Sequence, residues 1–108
     1  MTQHEDGNRL VLDIAGKCTV ENAAALHERL LAVVTTGKNI ALDVSKVEEA
    51  DVTFLQLLLS TALTLERNGL KLQRCGELSP ATLNAARVSG FNQTPQLTTF
   101  FADEERDG

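Results

Sequence analysis

Apolar positions follow two periods along this chain, and the periods take turns. Leu10, Leu12 and Ile14 alternate with Val11 and Asp13, which predicts a strand over Leu10–Ile14 with one apolar side. Gly16 predicts a tight turn or bulge, with a short second strand at Lys17-Cys18. From Thr19 the spacing changes. Ala23, Leu26, Leu30 and Val33 recur at intervals of three and four, which predicts a helix to about Val34. Thr19 is its candidate N-cap, Glu21 suits the first turn, and Gly37 suits a C-terminal cap.

The alternation then repeats. Ile40–Val44 is apolar on both sides, as in a central strand, and Ser45–Ala50 reads as a polar loop. Asp51 caps a predicted second helix to about Arg67. Leu55, Leu58, Leu59, Ala62 and Leu65 form its core stripe, while Phe54, Leu57 and Leu63 add apolar surface beyond it. Leu70–Arg74 is a further strand. Ser79-Pro80 opens a third helix, with Leu83, Ala86 and Val88 facing inward and Gly90 closing it. Phe91 is expected to fold back on its last turn. Leu97–Phe101 reads as a last strand or a short helix.

The order β-β-α-β-α-β-α predicts an α/β fold. Its sheet is small and mixed, of four to five strands, with helices mainly on one face. The domain runs from 9 to 101, between a flexible N-terminal tail (1–8) and an acidic C-terminal tail (102–108).

Composition narrows the function classes. The chain has 108 residues, 43% of them hydrophobic, enough for one core. Its formal net charge is −5, and Lys and Arg are scattered singly, so nucleic acid is not an expected partner. No apolar run approaches the about 20 residues of a membrane span, and the polar start Met1–Asn8 has no signal-peptide pattern. A cytoplasmic protein without direct membrane insertion is expected. The two cysteines, Cys18 and Cys75, and the two histidines, His4 and His27, have no metal-site spacing.

Catalytic motifs are equally sparse. No nucleophile elbow, phosphate loop or dinucleotide fingerprint occurs. Glu48, Glu49 and Asp51 lack a companion base, and His27 follows the core residue Leu26 as a half-exposed helix histidine. The chain is read as a non-enzyme with no catalytic residue, metal or cofactor.

One stretch says more. From Leu42 to Leu58 an apolar strand leads through Glu48-Glu49-Ala50 to an acid that caps a leucine-rich helix. This resembles the signature of the STAS domain, the fold shared by anti-sigma-factor antagonists and the cytoplasmic tails of sulphate transporters. Gly16–Leu26, Gly69–Leu72 and Ser79–Phe91 resemble three other family stretches in the right order, so the likeness covers roughly Leu10 to Phe101.

The resemblance implies a STAS-like fold and a non-catalytic module that binds a protein. The implied docking residues are Val47, Glu48, Glu49, Asp51, Val52, Thr53 and Phe54. In members that act as phosphorylation switches, a hydroxyl residue directly follows the Asp; here that position is Val52. Thr53 is then the remaining phosphorylation candidate, against a plain reading as a first-turn residue. A phosphate there would suit the helix dipole but crowd the neighbouring acids. Phe54 stands in place of the family's glycine and is either a core residue or an exposed anchor.

Two functions follow from the resemblance. The first is an anti-sigma-factor-antagonist-like module of bacterial signal transduction, in a chemotaxis or two-component setting, binding a histidine-kinase-like ATPase or an anti-sigma factor. The alternative is the STAS subunit of a phospholipid transport complex, which binds the transporter ATPase without being phosphorylated. A homodimer is compatible with either. The shared geometric expectation is that Asp51, at the head of its helix, presents a protruding acidic rim.

Overall fold

The computed structural model describes residues 2–106. Met1, Asp107 and Gly108, the outermost residues of the two expected tails, lie outside the described residues. The elements in chain order are β1 (Thr2–Asp6), β2 (Arg9–Cys18), a 3-10 turn (Val20–Asn22), α1 (Ala23–Val34), β3 (Asn39–Ala50), α2 (Val52–Arg67), β4 (Leu72–Arg74), α3 (Pro80–Ser89), two further 3-10 turns (Phe91–Gln93 and Pro95–Leu97) and α4 (Thr98–Arg106). The sheet order is β1-β2-β3-β4. β1 runs antiparallel to β2, while β2, β3 and β4 are parallel neighbours.

β1 corrects the expected flexible start. Its residues are polar, so no apolar period marks it. It is an edge strand whose partner supplies the burial, with Gln3 opposite Leu12 and Glu5 opposite Leu10. The connection is the two-residue turn Gly7-Asn8, with Gly7 at φ +65° and Asp6 opposite Arg9. Glycine at the first central position is what the hairpin turn with one positive φ requires.

β2 is one strand, where two had been expected. It absorbs its irregularities as register shifts between Asp13 and Ala15 and between Gly16 and Lys17. Gly16, at φ +77°, takes the positive-φ backbone there, as the bulge reading anticipates.

β3 is likewise longer than its apolar run. It continues through the expected Ser45–Ala50 loop, because β2's last residues are there to pair with it: Lys17 opposite Glu49 and Cys18 opposite Ala50. Tertiary pairing thus overrides the low strand preference of a Lys-Val-Glu-Glu stretch.

One core fills the space between the sheet and the helices. Leu10, Leu12, Ile14, Ile40, Leu42, Val44 and Leu72 from the sheet meet Leu26, Leu30 and Val33 of α1 and Leu55, Leu58, Ala62 and Leu65 of α2. Phe100 and Phe101 of α4 join them, their rings edge to face at 5.2 Å between centroids. α4 settles the strand-or-helix alternative for Leu97–Phe101, and it extends into the expected acidic tail. α3 begins as predicted, Ser79 Oγ accepting the Thr82 N–H at 3.1 Å with Pro80 in the first turn. Leu83 and Ala86 face inward as expected, together with Thr82 and Ala85, whereas Val88 is 81% exposed.

Val11 and Ala41 lie outside the main core cluster. They are buried beside a polar bridge, in which Arg9 Nη1 donates to Gln73 Oε1 at 3.2 Å. The register places Ala41 between Val11 and Gln73, and its small side chain lets the bridge span the central strand.

Candidate functional site

The site forms where β2 and β3 end side by side and their chains turn into helices. Asp51 follows β3 with an extended backbone (φ −131°, ψ −175°) and is the N-cap of α2. Its Oδ1 accepts the Phe54 N–H at 3.3 Å. Its Oδ2 accepts the Val20 N–H at 3.0 Å, across 31 residues of sequence. Oδ1 shares the Phe54 N–H with the Asp51 carbonyl, which accepts it at 3.1 Å, while Oδ2 serves a donor at the helical start ahead of α1.

This second bond explains a difference from expectation. Thr19 precedes the turn with an extended backbone but makes no side-chain cap. Asp51 reaches across and accepts the Val20 N–H, one residue ahead of the amides that a Thr19 side-chain cap would serve. The turn is also tied back to β2, because Asn22 Nδ2 donates to the Lys17 carbonyl at 2.8 Å. A carboxylate carries negative charge, which suits the positive end of both helical segments.

Of the docking residues inferred from sequence, Glu48, Glu49 and Val52 are exposed and Asp51 and Thr53 are half-buried. Two are not available to a partner. Val47 is 3% exposed and Phe54 is 1% exposed, both inside the core. Val47 is the inward residue of a strand where a loop had been expected. Phe54, in the first turn of α2, belongs to the core cluster, which removes the exposed-anchor reading. Glu49 lies 3.8 Å from Lys17, with both side chains well exposed, so the pair adds little stability.

Sequence reasoning missed Val20. It is 66% exposed and Val52 is 47% exposed, and both stand at the Asp51 junction. The available signal was an apolar residue directly after the candidate cap Thr19, ahead of the buried stripe. Its relevance depends on a contact from a distant segment.

Cys18 lies beneath this junction, at the end of β2. Burial, and secondarily the Asp51 charge, push its thiol from 9.0 up to about 11. The Cys75 thiol is also raised, by burial and then by Asp43. Both cysteines are free. The unfolded chain ionises these thiols at lower pH than the folded one, so it holds fewer protons in that interval. Stability should therefore fall as pH rises from 9.0 towards about 11. A denaturation series across that window should show Cys18→Ala losing the larger part of the decline.

Catalytic geometry does not gather here. His27 is exposed on α1 and His4 is exposed on β1. Among the described residues, no group of three or more His, Cys, Asp or Glu side chains is placed to hold a metal ion. No helix among them is long and apolar enough to cross a membrane.

Residues 1–99 match the family model described as "Mlab, STAS domain". The chain belongs to the STAS family. Solved STAS-like structures resemble it along most of its length. An anti-sigma factor antagonist from Mycobacterium paratuberculosis is 24% identical, with a TM-score of 0.71 over 86% of this chain and 79% of that one. A Thermotoga maritima protein described as an anti-sigma factor antagonist is 14% identical, with a TM-score of 0.72 over 86% and 80%. The unphosphorylated anti-sigma factor antagonist SpoIIAA is 12% identical, with a TM-score of 0.62 over 80% of each chain. At these identities the likeness is one of fold. No curated protein matches the sequence. The STAS fold accounts for the four-stranded mixed sheet and for the helices on one face.

Proposed function

We propose that this STAS domain is a non-catalytic, cytoplasmic regulatory module of bacterial signal transduction. It binds a protein partner at the Asp51 junction. The carrying observation is the exposed set Glu48, Glu49 and Val52 at the head of α2, on a backbone fixed by the Asp51 carboxylate. An acidic rim around an apolar residue suits recognition of a partner surface, with the charges steering approach. The partner in this reading is a histidine-kinase-like ATPase or an anti-sigma factor.

Val52 favours a second reading. It stands where a phosphorylation switch needs a hydroxyl, and a STAS subunit that holds a transporter ATPase works without that switch. The two readings differ in what the chain retains from its native lysate: a kinase-like or anti-sigma protein in the first, a transporter ATPase in the second.

The test compares affinity capture by the wild type and by a Glu48→Lys, Glu49→Lys double variant. Reversing rim charges should weaken capture by about tenfold or more at low salt, and less at high salt. Equal capture by both would exclude this rim as the docking site. Mass spectrometry of the bait tests Thr53 directly. With Thr53 as a plain first-turn residue, Thr53→Ala should bind within about threefold of wild type, since surface changes of this kind alter free energies by roughly 0.5 kcal/mol. A large loss of regulation in that variant would restore Thr53 as a switch.

A further inference from the structure

The large exposed hydrophobic residues among those described are Val20, Leu31, Val52 and Val88. Single exposed apolar residues are ordinary on a protein surface. Val20 and Val52 differ, because one carboxylate brings their backbones together. Val20 donates its N–H to Asp51 Oδ2, and Val52 is the next residue after Asp51. Glu21 stands beside Val20, and Glu48 and Glu49 precede the junction, all exposed. The nearby cations are Lys17, which faces Glu49, and Lys46. The acids outnumber them, on a chain of net charge −5.

Asp51 itself is occupied. Both its oxygens hold backbone amides, from the turn before α1 and from α2. A partner cation drawing on that carboxylate would compete with both caps.

We propose that Val20 and Val52 together form the apolar anchor of the docking face, and that Asp51 is a positioning residue that holds them side by side. The matching partner surface is an apolar hollow edged with Lys or Arg, which would cover the two valines and face Glu21, Glu48 and Glu49. Depletion of charge at the centre with a charged rim is the usual anatomy of such interfaces. This inference rests on the protein-binding reading above and adds the turn before α1 to the face.

Photocrosslinking in the native cell tests it whatever the partner's identity. The photoreactive residue p-benzoylphenylalanine replaces Val20, Val52, Leu31 or Val88, one position at a time. The expected result is one common protein adduct from positions 20 and 52, at least about tenfold above that from 31 and 88. Glu48→Lys with Glu49→Lys should reduce it. In an Asp51→Ala background that remains folded by circular dichroism, the adduct from position 20 should fall while that from 52 survives. Equal loss at both positions would make Asp51 a direct contact and overturn its positioning role. Adducts only from 31 or 88 would overturn this face while leaving protein binding intact. No protein adduct at any of the four positions would sink both readings.

Discussion

Phe54→Ala should lower the unfolding free energy by about 3–5 kcal/mol, the cost of removing a large ring from a close-packed core. Phe54 is 1% exposed and belongs to the same core cluster as Leu55, Leu58, Ile40 and Leu42. The ring is too large for its neighbours to collapse into the space it leaves. A loss of that size corresponds to a drop in Tm of more than about 10 °C for a domain this small. Urea denaturation monitored by circular dichroism reads the effect directly, as a lower midpoint at an unchanged slope. Phe54→Leu, which keeps most of the apolar volume, should recover much of the loss. Near-wild-type stability in Phe54→Ala would place the ring on the surface and reopen the exposed-anchor reading.

Asp51→Ala should cost about 2–3 kcal/mol, because one substitution removes an N-cap and a second charge-assisted acceptor. The Phe54 N–H loses Oδ1 and the Val20 N–H loses Oδ2. Asp51→Asn separates the two contributions. Asparagine is a good N-cap and keeps one carbonyl acceptor for α2. Its amide group would then face the Val20 N–H as donor against donor. The expected cost is about 1 kcal/mol, with loss of protection confined to the turn before α1. Amide hydrogen exchange distinguishes the variants: the Val20 amide should exchange faster in both, and the Phe54 amide faster only in Asp51→Ala. An unchanged Val20 amide in both would mean that the long-range cap contributes nothing.

These two residues also show where the sequence was legible. Asp51 as the cap of α2, the extent of that helix to Arg67 and the Ser79-Pro80 start of α3 could all be read locally, because a cap and its amide lie three residues apart. Phe54 could be placed on α2 but not assigned to core or surface. Its position at the edge of the apolar stripe suits either, and the packed neighbours decide. Val47 was expected as a docking residue in a loop, and it is enclosed because β3 continues past Val44. The Gly7-Asn8 turn went unread in the sequence, because the polar residues before it carry no strand period.

The sequence by itself determined the apolar side of β2 and the inward stripes of α1 and α2, the α/β class, and the acid that starts α2. It does so because side-chain period and capping are properties of residues at most a few positions apart. The tertiary structure alone decided that a polar N-terminal segment is a strand, that Val47 and Phe54 are enclosed, and that the Val20 amide is held by Asp51. Each of those depends on what a distant segment brings: the edge of β2, the underside of the sheet, and a carboxylate oxygen with no local donor left to hold.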